Sequence, residues 1–279
     1  MSVNRLSSLA ANPATGLPKP WQALPYKRLG QLLWPLLLPL SLGLFWWLGS
    51  RQEWVASQVL PAPDMVLQSA VDLIGNGLLQ EHILISLWRV LFGFLLGSAL
   101  GLLLGAAMGL SERASDYLYP LLRLIAYVPL LGWLPLLMIV FGIGETLKIV
   151  LVAQAALLPV ALNTSNAIRA VPGRLIEVAQ LYGFSRRQIL LKVIAPAAFP
   201  SVWSSIRYAL TKSWLALVVV ELLASSEGLG FLMVDSRQLF QLDVMLVAVA
   251  AIGVIGYLLD LGLSLVERRI LRWRRVSFA

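Results

Sequence analysis

Six apolar runs of roughly 20 residues constrain this chain more than any other feature, because ~20 helical residues at ~1.5 Å each cross the ~30 Å hydrocarbon core of a bilayer. They are Leu29 to Leu48, Ile83 to Leu110, Leu121 to Phe141, Thr146 to Ile168, Trp203 to Ser225 and Val244 to Val266. In lipid, a spanning segment must satisfy its own backbone N–H and C=O groups. The runs therefore predict an all-α membrane protein with six transmembrane helices. Composition agrees: of 279 residues, 59% are hydrophobic and 13% charged, whereas soluble chains have about half and about a quarter.

The net charge of +8 would suggest nucleic acid in a soluble protein. Here the basic residues lie between apolar runs and report topology. Arg5, Lys19, Lys27 and Arg28 precede run one, and Arg113 and Arg123 follow run two. Arg169, Arg174, Arg186, Arg187, Lys192 and Arg207 follow run four, and Arg268, Arg269, Arg272, Arg274 and Arg275 follow run six. The opposite connections carry only Arg51 and Arg237. The positive-inside rule then places both termini in the cytosol and predicts no nucleic-acid partner. The proline-containing, aperiodic residues 1–28 read as a flexible cytosolic tail, and run one is expected to be retained rather than cleaved.

There is no cysteine, and His82 is the single histidine. Disulfides and thiolate sites are excluded, and no metal site is predicted. On the outer side, Leu60-Pro61-Ala62-Pro63 forbids helix locally, and Asp64 offers an oxygen to cap a helix beginning just after it. Val66, Leu67, Ala70, Val71 and Ile74 then recur at helical spacing, predicting a short amphipathic helix at the interface.

Run two carries Gly93, Gly97, Gly101, Gly105 and Gly109, one every four residues. Such a stripe lets a second helix approach the backbone closely, within the subunit or at a subunit seam. Pro129 and Pro135 in run three and Pro159 in run four each remove a backbone donor. They mark either kinks in a packed bundle or a water-filled passage that satisfies the freed groups.

Few charges fall within the runs: Arg89, Glu145, Lys148, Lys212, Glu221 and Asp260. Glu145 and Lys148, three residues apart at a helix start, are expected to cap and pair. Lys212 and Asp260 lie at depths matched within ~5 Å, so Lys212 either pairs with Asp260 or faces a passage and helps an anion through it. Pro129, Pro135, Lys212 and Glu221 are thus the candidate pathway residues, and no catalytic residue is predicted.

Val171 to Pro200 is basic, amphipathic and too polar to span. Pro172 opens a helix through Tyr182, Gly183 ends it, and Ser185 with Gln188 forms a capping box for a second helix that Pro196 is expected to stop. The result is a helical elbow. Leu175, Ile176, Ala179 and Tyr182 can dock into a partner's groove, flanked by Arg174, Arg186 and Arg187.

Glu177-Val178-Ala179, Gly183 six residues after the glutamate and Pro196 nineteen after it resemble the EAA loop of permease subunits of binding-protein-dependent ABC importers. The pattern departs at Val178, Val193 and Ala195, all apolar replacements. The likeness runs from about Leu60 to Arg275 and is nearest to the sulfonate, taurine and nitrate branch, whose Leu-Pro-Ser-Pro resembles Leu60 to Pro63. Val128-Pro129 through Phe141-Gly142-Ile143-Gly144-Glu145, Gly228 to Phe231 and Leu239 to Asp243 resemble further runs of that branch.

The resemblance implies a type I importer permease. Residues 1–28 would be a cytosolic tail, 29–82 the first helix with a periplasmic segment, 83–268 the core with its EAA loop at 169–200, and 269–279 a basic tail. It implies a homodimer in the bacterial inner membrane, fed by a periplasmic binding protein and driven by two cytosolic ATPase subunits. Those subunits would hold ATP and Mg and grip Glu177, Ala179, Tyr182, Gly183, Ser185, Arg186, Arg187 and Pro196. The chain itself has no GxxxxGK[ST] phosphate cradle and no expected cofactor. The solute would be a small anion. An ion-coupled secondary transporter and a membrane-embedded enzyme are the rival readings, opposed by the lack of internal repeats and of a nucleophile-base pair.

Overall fold

The computed structural model describes residues 25–271 apart from 53, 55, 57 and 58, with side chains from residue 37 onward. Residues 1–24 of the predicted 1–28 tail and the basic residues Arg272, Arg274 and Arg275 lie outside the described residues. The chain divides into two units, 1–57 and 58–279.

In the first unit, α1 runs Pro25–Arg51 and covers run one. It begins four residues before the predicted start of run one, on a proline, whose missing N–H would have no intrahelical partner at that position. At its far end the Arg51 guanidinium lies over the Trp47 ring at 4.5 Å, and Trp54 packs on Phe45 with centroids 5.6 Å apart.

The second unit contains α2 (Pro63–Gly75), α3 (Leu78–Leu110), α4 (Glu112–Tyr127), α5 (Leu130–Phe141), α6 (Glu145–Arg169), α7 (Gly173–Leu181), α8 (Arg186–Ile189), α9 (Ala195–Ala224), α10 (Leu229–Gln238) and α11 (Leu242–Ile270). Among the described residues there is no strand. Four stretches are long and apolar enough to cross a membrane: α3, α6, the continuous run Arg186–Ala224, and α11. The α4–α5 pair makes a fifth when taken as one broken span.

The centre of this unit is the α3–α6 pair, its most extensive helix contact. A Cβ at Gly93 would lie 2.7 Å from Val152, at Gly101 2.8 Å from the Leu157 carbonyl, at Gly105 2.6 Å from the Ala161 carbonyl and at Gly109 2.8 Å from Ile168. At Gly97 it would fall on the Ala153 carbonyl. The stripe therefore packs within the subunit. Its partner numbers rise as its own do, so α3 and α6 run parallel, and residues 111–144 must return the chain from one end of the pair to the other.

That return is where expectation and structure differ. A single span over Leu121 to Phe141 is replaced by α4 and α5, which meet at 100°. Pro129 causes the break: it supplies no N–H and pushes Val128 out of the helical region, to φ −80° and ψ 119°. Pro135 and Pro159 instead sit inside the continuous helices α5 and α6.

Helix α9 packs antiparallel to both α6 and α11. Ser213 Oγ donates to the Val152 carbonyl at 3.3 Å, and Trp214 Nε1 donates to the Ile252 carbonyl at 3.2 Å. The expectation that Pro196 ends the elbow's second helix is corrected. α8 continues through a π-helical turn, Leu190–Ile194, directly into α9, with the Ala195 N–H reaching the Leu190 carbonyl. The wider turn displaces the carbonyl that a prolyl ring would strike in an α-helix, so Pro196 lies in the first turn of α9.

Helix α2 starts at Pro63, with Ala62 as its cap residue. Asp64 thus falls within the first turn instead of capping it, where its charge still complements the helix dipole. The stripe expected on one face is divided: Val66, Ala70 and Leu73 pack on the core, while Leu67, Val71 and Ile74 are exposed.

Candidate functional site

At one end of the second unit lies the elbow. α7 ends in a Schellman motif: the Gly183 N–H donates to the Gln180 carbonyl at 2.9 Å and the Phe184 N–H to the Ala179 carbonyl at 3.0 Å. Gly183 has φ +72°, in the left-handed region, with no atom within 4 Å of where a Cβ would stand. Its demand for glycine is therefore conformational and does not come from crowding between the two helices. The next residues close a capping box, in which the Gln188 N–H donates to Ser185 Oγ at 3.3 Å and the Ser185 N–H to Gln188 Oε1 at 2.8 Å.

Between α7 and the first turns of α9 is a groove of about 580 Å³, lined by Leu175, Val178, Ala179, Tyr182, Phe184 and Pro196 among others. Of the docking residues read from the sequence, Ala179 is buried, Ile176 is half-buried, and Leu175 and Tyr182 are exposed. Val178 and Leu181 join them in presenting apolar surface outward, and Glu177, Ser185, Arg186 and Arg187 are exposed around it. An exposed apolar ridge ringed by charge suits a protein partner.

A second concavity, of about 550 Å³, opens among the α4–α5 break, α6 and α9. The structure gathers Pro129, Lys212, Tyr208, Gln154 and Pro159 there. Pro135 and Glu221, the other pathway candidates, do not line it. Pro135 is exposed elsewhere on α5, and Glu221 is fully buried near the far end of α9.

Lys212 and Asp260 are not paired. Arg207 holds Asp260 in a bidentate bridge, with Nε and a terminal nitrogen each at 2.7 Å, and reaches Glu267 at 3.2 Å. The register set by Trp214 and Ile252 explains it: antiparallel helices in that register put Arg207 level with Asp260, and Lys212 level with Val254. Lys212 instead lies over the ring of Tyr208, 5.3 Å from its centroid.

The end opposite the elbow holds a cluster that the sequence presents only as scattered charges. Arg89, 1% exposed, bridges Glu145 through Nε at 2.7 Å and a terminal nitrogen at 2.6 Å. Its other terminal nitrogen donates to Glu221 at 2.9 Å and to the Glu227 carbonyl at 2.8 Å. Glu221 also accepts from Ser86 Oγ at 2.9 Å and from the Gly230 N–H at 3.0 Å. Lys148 joins Glu145 at 2.8 Å, so the expected pair is present within a larger network. His82 Nδ1 accepts from the Gly228 N–H at 2.9 Å, tying the loop before α10 to α3. The signal was available: Arg89, Glu145 and Glu221 all lie near the same ends of their runs. Among the described residues no group of acidic and histidine side chains could hold a metal ion.

A protein-family model described as "Binding-protein-dependent transport system inner membrane component" matches residues 97–272. The "Putative aliphatic sulfonates transport permease protein SsuC" of Escherichia coli is 39% identical over 239 residues, covering 86% of this chain and 91% of that protein. The taurine transport system permease protein TauC of the same organism is 35% identical over 253 residues, covering 86% and 92%. A chain of the MetNI methionine ABC transporter, solved in inward-facing conformations, superposes with a TM-score of 0.55 at 22% identity, covering 69% of this chain and 94% of that one. This last likeness concerns the fold alone.

Proposed function

Because this chain belongs to the family of binding-protein-dependent transport system inner membrane components, we propose that, as an inner-membrane permease of an ABC importer, it forms the passage for a small anionic solute. The solute is an aliphatic sulfonate, taurine or nitrate, delivered by a periplasmic binding protein. Its relatives' names, for sulfonates and for taurine, support that class. In this reading α1 and the α4–α5 pair complete six spans, both termini are cytosolic and two copies form a homodimer. Two cytosolic ATPase subunits carry ATP and Mg, and each docks on an elbow.

The observation that carries the reading is the elbow itself. Two capped turns fix a small apolar ridge, Leu175, Val178, Leu181 and Tyr182, beside Arg186 and Arg187, with Glu177 near the start of α7. Nothing within the described unit covers the ridge.

The test is co-purification with the ABC ATPase subunits that this reading requires. Gly183→Val strains the turn by ~1 kcal/mol or more, and Glu177→Lys reverses the charge beside the ridge. Both variants are expected in the membrane at normal levels, without retained ATPase and without solute-stimulated hydrolysis. Normal assembly and coupling in both variants would remove the elbow from the mechanism.

A further inference from the structure

We infer that the concavity beside Lys212 is a selective way-station for monoanions with an alkyl body, the Lys212 ammonium holding the anionic head and the apolar walls the tail. This rests on the permease reading above and adds to it a site and a solute chemistry.

The first ground is the state of Lys212. Within the candidate spans, Arg89, Lys148 and Arg207 each hold a carboxylate. Among the described residues Lys212 makes no salt bridge, although it lies 12 residues, ~18 Å, from the outer end of α9. A cation at membrane depth faces a partner or a wet cavity. Lys212 is exposed, lines the concavity, and is positioned there by the Tyr208 ring one turn below it.

The second ground is the wall. Besides Lys212, only Gln154 and Tyr208 bring polar side chains to a surface otherwise formed by Val128, Leu158, Leu215 and similar residues. About 550 Å³ lies within the range of small-molecule sites, which combine apolar walls with a few polar groups. One unpaired cation balances one negative charge. The amide of Gln154 and the hydroxyl of Tyr208 can donate to further oxygens of the same head. The leucine and valine walls stabilise only a solute with apolar surface of its own, which a bare inorganic anion lacks.

The experiment uses the whole transporter, permease with its ATPase and binding protein, in proteoliposomes. Initial uptake is measured for methanesulfonate, butanesulfonate, hexanesulfonate and nitrate. Lys212→Met is expected to lower alkanesulfonate uptake about tenfold, the effect of one charge-assisted hydrogen bond. Lys212→Arg retains most of it, and the amount of co-purified ATPase is unchanged in both. Leu215→Trp fills the apolar wall without touching the charge, and is expected to depress hexanesulfonate uptake more than methanesulfonate uptake. That readout stands even where Lys212→Met cannot be recovered.

A Lys212→Met loss of less than about threefold, or an equal Leu215→Trp effect on all chain lengths, overturns the inference. Wild-type uptake of nitrate without any alkanesulfonate overturns it too, yet leaves the permease reading intact. Failure of the wild-type chain to retain its ATPase would instead strike the permease reading.

Discussion

The guanidinium of Arg89 on α3 lies 2.9 Å from the carboxylate of Glu221 on α9, with at most 2% of either side chain exposed. Removing one member of such a pair leaves the other charge buried and unmatched, at a cost of about 3–5 kcal/mol. Arg89→Met is therefore expected to lower the thermal midpoint in detergent sharply. Glu221→Gln should cost less, because an amide oxygen still accepts from Ser86 and Gly230. The double change Arg89→Met, Glu221→Met should recover much of the loss. A midpoint for Arg89→Met equal to wild type would mean that the cluster does not hold α3 to α9.

Gly97 and Gly253 offer a controlled comparison. A Cβ at Gly97 collides with the Ala153 carbonyl, whereas at Gly253 it meets nothing within 4 Å. Gly97→Ala should separate α3 from α6 and reduce the folded yield seen by size-exclusion chromatography. Gly253→Ala should be neutral or stabilising by up to ~1 kcal/mol, the helix preference of Ala over Gly. Equal yields from the two would contradict the close α3–α6 approach.

Orientation is open to chemical labelling, because the chain has no native cysteine. Ser185→Cys, in the elbow, should resist an impermeant thiol reagent in intact cells and react once they are lysed. Val71→Cys, exposed on α2, should react in intact cells. The reverse pattern would invert the membrane topology and separate the elbow from any cytosolic ATPase.

Much of this fold is legible because its rules are local. The five glycines at spacing four, the Ser185–Gln188 box and the glycine stop at 183 are signals whose physics is complete within a few residues. Pro196 misleads because a π-helical turn depends on how the chain meets its surroundings. Pro129, one of five prolines in the membrane runs, is the one to break its helix by 100°, and nothing local distinguishes it from Pro135. The pairing of Asp260 fails differently. Depth counted along separate helices is blind to register, and the Trp214–Ile252 bond shifts the match from Lys212 to Arg207. The Arg89 cluster joins residues 56 and 132 positions apart: the runs place these charges on a common side of the membrane, but which of them touch depends on how the helices pack.

From Arg186 to Ala224 the chain is one helical rod of 39 residues, ~58 Å long, interrupted only by the π-helical turn. It carries the capped elbow at one end, Lys212 part-way along and Glu221 near the other. The rod is pinned at its far end by the buried Arg89–Glu221 pair and along its shaft by Ser213 bonded to α6 and by Trp214 and Arg207 bonded to α11, so it cannot slide or roll without carrying its neighbours, and whatever displaces one end displaces the bundle.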